Sequence, residues 1–190
     1  MYTRGFTLVE LIVTSAIITI ILSVVMFNYG SFNDKLALSS AVQEMAITMR
    51  QAQAYGINVK EAGVNSNQFN YAYGIYFNSN TGSNTSYLIF IDSNNNYKYD
   101  SGIDQLVETL NLRNGVKITS VCDASSCPPS GYSVLHVSFL RPNPDARIFF
   151  TNNSGTTISG QMNTGKVQLS SPKGVNSYVI IENTGQIMTQ

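Results

Sequence analysis

Residues 6–27 read FTLVELIVTSAIITIILSVVMF and carry one charge, Glu10. A run of that length spans the hydrocarbon core of a bilayer as a helix, since about 20 apolar residues suffice. In front of it stand Arg4 and Gly5; behind it the chain turns polar at Asn28-Tyr29-Gly30-Ser31. A secretory signal would have a shorter apolar core and a small-residue cleavage site after it, and that site is missing here. A plain signal anchor accounts for the length and for Arg4 but not for Glu10. A charged side chain at the centre of a membrane helix costs about 2.5–3.5 kcal/mol. Glu10 therefore either lies at the membrane edge and reaches water, or pairs with a cation at its own depth. An amino terminus created just before Phe6 would be such a cation.

The composition agrees with an unusual chain. Lysine and arginine number 11, aspartate and glutamate 11, in 190 residues, so the formal net charge is zero. Charged residues make up 12%, about half the usual share. Without a basic excess, electrostatic capture of nucleic acid by the whole chain is disfavoured. The hydrophobic content of 43% excludes a disordered chain. One histidine and two cysteines leave little material for a zinc site. Phosphate-binding glycine loops, nucleophile elbows and paired metal-binding histidines are absent from the sequence.

Beyond the apolar run, Leu38, Val42, Met45, Met49 and Ala52 recur at spacings of four, three, four and three. That is the seam of an amphipathic helix. Ala37, Ala41, Ala46, Ala52 and Ala54 favour helix, and Gly56 is the expected stop. The spacing predicts one helix from Phe6 to Tyr55, about 75 Å long, with its stripe laid on a globular domain. After Gly56 the helical period vanishes, and short β-rich runs alternate with Asn, Ser and Gly clusters. Strands are expected at 71–77, 86–91, 106–112, 115–121, 132–140, 146–151, 166–170, 177–182 and 186–189. The Asn114-Gly115 pair suggests a tight hairpin joining the third and fourth of these. A second hairpin should turn at Asn183–Gly185. In the run 132–140, alternation predicts that Ser133, Leu135, Val137 and Phe139 face the core while the other face is open.

The motif Gly5-Phe6-Thr7-Leu8-Val9-Glu10 followed by unbroken apolar sequence resembles the signal of type IV pilins and type II secretion pseudopilins. The resemblance implies an α+β pilin fold: a long N-terminal helix, transmembrane in its first half, packed on an antiparallel β-sheet domain. It implies a leader of residues 1–5, cleavage by a prepilin peptidase between Gly5 and Phe6, and N-methylation of Phe6. It implies that Glu10 neutralises the terminal amine of a neighbouring subunit. Segment 6–30 would then be the transmembrane and assembly helix, 31–56 its amphipathic half, and 57–190 a β-rich extracytoplasmic domain. The expected partners are other pilin or pseudopilin subunits, prepilin peptidase, the inner-membrane assembly platform and the membrane itself. The expected location is the inner membrane, single-pass, and then the pilus or pseudopilus. No catalytic residue is expected. The IFID loop, the SFLRP and DARIFF segments and the terminal hairpin are similar, more diffusely, to minor subunits of the GspH/FimT type. In some relatives of that type, arginines after the glycine of the terminal hairpin serve DNA uptake. Here Gly185 is followed by Gln186-Ile187-Met188, and Asp145 lies between Arg141 and Arg147, so the sequence argues against a DNA-binding tip.

Two further clusters remain. Asp92, Asn94, Asn96 and Asp100 stand at positions 1, 3, 5 and 9 of a calcium-loop spacing. However, Tyr97 replaces the turn glycine, and Ile103 stands where a bidentate glutamate belongs. An Asx-turn loop explains the same residues without metal and is the preferred reading. Cys122 and Cys127 enclose four residues, and an extracytoplasmic domain would join them as a disulfide; two free thiols are the alternative. A catalytic pairing of Cys122 with His136 lacks an orienting acid.

Overall fold

A computed structural model describes residues 5–58, 71–125, 127, 131–158 and 160–190. Residues 1–4 of the expected leader therefore lie outside the described residues. Helix α1 runs from Leu8 to Ile57 without interruption, 50 residues in all. Gly30 does not break it, and no proline occurs within it. Among the described residues nine strands follow: β1 Ala72–Asn78, β2 Ser86–Asp92, β3 Gln105–Asn111, β4 Lys117–Cys122, β5 Val134–Phe139, β6 Ala146–Thr151, β7 Thr164–Ser170, β8 Asn176–Glu182 and β9 Ile187–Thr189. They form two antiparallel sheets, one ordered β3-β2-β1-β5-β6 and one ordered β4-β7-β8-β9. The chain is thus α+β, with the long helix packed on antiparallel strands, as in the pilin fold.

The seam read from the sequence is the packed one. Leu38, Val42, Met45, Met49 and Ala52 are buried. They meet Tyr73, Ile75 and Phe77 of β1, Leu135, Val137 and Phe139 of β5, and Val167, Leu169, Val179 and Ile181 of the second sheet in one core. Burying such side chains contributes about 1.5–3 kcal/mol each. Thr48 stands among them and meets the Tyr87 hydroxyl at 3.3 Å, so its own hydroxyl is satisfied.

Gly56 does not stop the helix, which continues to Ile57 and is capped at Asn58. Its role is contact: a Cβ there would strike the Phe139 carbonyl at the end of β5. Gly56→Ala is therefore expected to push α1 off β5 and to cost about 2–3 kcal/mol. A thermal melt of the detergent-solubilised chain reads this as a drop of several degrees; an unchanged melt would show that the contact is not tight.

Two further expectations are corrected. The Asn114-Gly115 turn forms, with both residues at positive φ (54° and 73°) and Val116 N–H donating to the Arg113 carbonyl at 3.1 Å. It does not close a hairpin, because β3 and β4 belong to different sheets. The flanking residues instead bond the β1–β2 connection: Leu112 N–H to the Thr85 carbonyl at 2.8 Å and Ile118 N–H to the Asn84 carbonyl at 2.8 Å. The tight turn redirects the chain from one sheet to the other. In contrast, Asn183–Gly185 does join a paired hairpin, β8–β9. Second, β5 is buried on both faces. His136 and Ser138 are covered because the β2–β3 loop folds back over them: Tyr99 N–H donates to His136 Nδ1 at 2.9 Å, and the Ser138 hydroxyl donates to the Tyr97 carbonyl at 3.0 Å. Alternation reads one sheet face and cannot register a distant loop that covers the other.

Candidate functional site

The start of α1 is built from Phe6, Thr7 and Glu10. Thr7 has extended backbone and caps the helix. Its hydroxyl accepts from Glu10 N–H at 3.3 Å and donates to Glu10 Oε2 at 2.9 Å. Thr7 N–H donates to the same oxygen at 3.0 Å. This reciprocal capping box satisfies two amide groups that a helix start otherwise leaves without partners. Both donors reach Oε2. The Thr-x-x-Glu spacing announces this arrangement in the sequence, and Thr7 is the residue that a reading centred on Glu10 passes over. Gly5 is exposed, and Phe6 is 84% exposed.

From Leu8 to Met26 the helix has a mean hydropathy of 2.6 and none of it is buried within the chain. It is long and apolar enough to cross a membrane. Its hydroxyls are closed on the helix itself: Thr14 donates to the Glu10 carbonyl at 2.8 Å, Ser15 to Ile12 at 2.9 Å, Thr19 to Ser15 at 2.7 Å and Ser23 to Thr19 at 2.8 Å. Such back-bonding removes the desolvation penalty of a lone hydroxyl in hydrocarbon. A helix of this kind is exposed only in isolation; lipid or other helices must cover it.

Residues 1–26 match the family model described as the prokaryotic N-terminal methylation motif. No curated protein and no solved structure matches the chain. The methylation motif, with the apolar helix behind it, supports a type IV pilin-like protein anchored in a membrane. The motif implies processing by prepilin peptidase and assembly with pilin-type subunits, and proteins of this kind are structural subunits rather than enzymes. It covers Gly5, Phe6 and Glu10 and leaves the β-domain to be read on its own.

The other candidates lie in that domain, far along the chain from the motif. The calcium-type residues come together as a loop held by its own backbone. Asp92 is fully buried and accepts from Asn96 N–H at 3.2 Å and Tyr97 N–H at 2.7 Å. Asp104 accepts from Ser93 N–H at 2.9 Å and Asp100 N–H at 2.7 Å. Asp100 accepts from the side-chain amides of Asn94, at 2.9 Å, and Asn96. Burial pushes the Asp92 carboxyl up, against the pull of the Tyr97 and Asn96 amides. Burial also pushes on Asp100, but the Asn94 and Asn96 amides and the Lys98 charge hold it below the usual carboxylate range. Among the described residues, no group of three His, Cys, Asp or Glu side chains is placed to hold a metal ion. The network keeps Asn95 and Tyr97 at positive φ (59° and 63°), unusual for a residue as bulky as tyrosine. Tyr97 is thereby laid flat on Phe149, with ring centres 6.4 Å apart, and Arg147 sits over its ring at 5.6 Å.

Cys122, at the end of β4, is buried and bonded to the exposed Cys127 as a disulfide with Cα atoms 4.7 Å apart. His136 lies in the other sheet, held between Tyr99 N–H and the Thr151 hydroxyl at 3.0 Å. Cys122 and His136 are thus not assembled into one site.

Proposed function

We propose that this chain is a minor subunit of a type IV pilus or a type II secretion pseudopilus, cut between Gly5 and Phe6 and methylated on the new Phe6 amine. Segment 6–30 holds it in the inner membrane, and the β-domain stands on the extracytoplasmic side. During assembly Glu10 receives the Phe6 amine of a neighbouring subunit. What carries this reading is the matched methylation motif followed at once by a helix whose first 19 residues, Leu8–Met26, bury nothing in the chain itself. The β-domain architecture and its terminal hairpin accord with a minor subunit of the GspH/FimT type. Mass spectrometry of the N-terminal peptide, from cells containing a prepilin peptidase, should show a chain beginning at N-methylated Phe6. A chain keeping the Gly5–Phe6 bond would overturn the proposal.

The Asp92–Asp104 loop, on this reading, is a structural brace and not a calcium site. The carboxylate oxygens of Asp92 and Asp104 accept backbone amides, and a metal would have to displace them. Calorimetric titration of the chain with calcium should give no binding heat and no thermal shift. A saturable heat with stabilisation would restore the metal reading. A filament subunit that binds DNA at its tip is less supported, since the terminal turn Gly185-Gln186 presents no basic side chain.

A further inference from the structure

Charged side chains gather at both ends of the domain. Near the C-terminal end of α1, Gln53 bonds the carbonyls of Pro144 and Gly185, at 3.0 Å each. There the acids Asp145 and Glu182 stand with the bases Arg141 and Arg147, and Asp92 ends β2 opposite the start of β1. The opposite end of the domain faces the apolar span, and its turns are basic. Lys173 lies in the β7–β8 turn, closed by Gly174 N–H on the Ser171 carbonyl at 2.9 Å. A Cβ placed on Gly30 would lie 2.8 Å from Lys173 Nζ. Gly30 is four residues beyond Met26, the end of the span, which is about 6 Å along the helix axis. The polar layer of a bilayer is about 5–8 Å deep on each side. The helix therefore sets this ammonium at the depth of the lipid headgroups.

Other bases stand near it, with Asp34 one turn along the helix from Gly30. Gly115 of the β3–β4 turn packs on Pro172, at 2.8 Å from a Cβ built there, which brings Lys117 beside Ser171 and Pro172, while Arg113 lines the next groove with Glu44. Lys35 follows on the helix, and all four bases are exposed. Asn114 closes a groove of about 510 Å³ with Gly30, Asn33 and Ala37, in which Asp34 is the one acid. An ammonium is a compact point charge with three donors, suited to a phosphodiester oxygen. Anionic surfaces attract such groups within a Debye length of about 8 Å at physiological salt.

We propose that Lys173, with Lys35, Arg113 and Lys117 around it, is a seat for anionic lipid headgroups that holds the domain against the membrane before the subunit enters a filament. The proposal rests on Leu8–Met26 being a membrane span. The test is amine acylation of the full chain reconstituted in phosphatidylcholine vesicles with or without phosphatidylglycerol, read lysine by lysine by mass spectrometry. Lys166, within β7 and bonded to the Ala124 carbonyl at 3.5 Å, is the internal control. Acylation of Lys173 should slow at least about threefold with phosphatidylglycerol, and the protection should vanish in high salt, while Lys166 is unchanged. Equal acylation of Lys173 in both vesicles, with the chain retained, overturns the headgroup seat alone. So does uniform protection of every lysine, or the same protection from inorganic phosphate in phosphatidylcholine vesicles. Release of the chain from both vesicles by an alkaline wash overturns the membrane span, and the seat with it.

Discussion

Replacing Glu10 with valine is expected to leave the chain inserted and cleaved but to remove it from filaments. The substitution makes the span more apolar, so insertion is favoured by up to about 2.5–3.5 kcal/mol if the residue sits deep. On the proposed function cleavage acts at the Gly5–Phe6 bond, ahead of Glu10 and at the edge of the apolar run. Two interactions are lost. The capping box goes, because Thr7 N–H and the Thr7 hydroxyl have no acceptor, which costs about 1 kcal/mol of helix-start stability. On the proposed function the counter-charge for a neighbour's Phe6 amine goes as well, worth about 4 kcal/mol for unit charges near 4 Å at an effective dielectric of 20. Together these lower incorporation by more than about a thousandfold. Glu10→Gln separates them, since its amide oxygen can still accept from Thr7 while the charge is gone. The filament and membrane fractions, compared by immunoblot, should show Gln failing nearly as completely as Val. If Gln assembles like the parent chain, the role of Glu10 is capping and the charge argument is wrong.

The parts legible in the sequence are those set by local chemistry. Periodicity located α1 because the seam Leu38–Ala52 repeats every three or four residues and is the buried side. The strands were legible because each is a short β-rich run between turn residues. Asn114-Gly115 shows where such reading ends. The pair dictates a turn at positive φ, and the turn is present. Whether the strands on either side then pair depends on Asn84 and Thr85, some thirty residues earlier, whose carbonyls take the amides of Ile118 and Leu112. Gly56 shows the same limit: its sequence position suits a helix stop, while its purpose lies in the Phe139 carbonyl across the domain. At the functional end the situation is reversed. Thr7 and Glu10 bond each other across three residues, directly behind Phe6, so the site is local and its sequence signature nearly complete. Lys173 beside Gly30 had no signature, because only the packed domain brings the β7–β8 turn to the top of the span.

The β-domain is expected to lose stability on acidification, and His136 is the main cause. The ring is buried and its pKa is pushed down to about 3, by burial first and by the Lys98 charge, with Asp100 opposing. Its surroundings favour the neutral form: Nδ1 accepts from Tyr99 N–H at 2.9 Å, leaving Nε2–H to donate to the Thr151 hydroxyl. Tyr76 packs edge-on with ring centres 5.3 Å apart. In the unfolded chain the ring titrates near its ordinary 6.5. Between the two values the unfolded state binds the proton and the folded state does not, so stability falls as pH drops from 6.5 toward 3. The slope approaches 1.36 kcal/mol per pH unit, and the whole window is worth about 4–5 kcal/mol. Asp100, held below the usual range, adds to the loss at the acid end, whereas Asp92, pushed up, opposes it. Thermal unfolding of the detergent-solubilised chain should therefore show a midpoint that drops steadily below pH 6.5. His136→Gln keeps an oxygen for Tyr99 N–H and cannot titrate. It should be less stable at neutral pH but nearly flat between pH 6.5 and 4.5. A parent chain as stable at pH 4.5 as at pH 7 would mean that the ring finds solvent when charged. The β2–β3 loop would then be a loose cover rather than a brace, since protonated Nδ1 cannot accept from Tyr99 and the loop must lift from β5 to admit water.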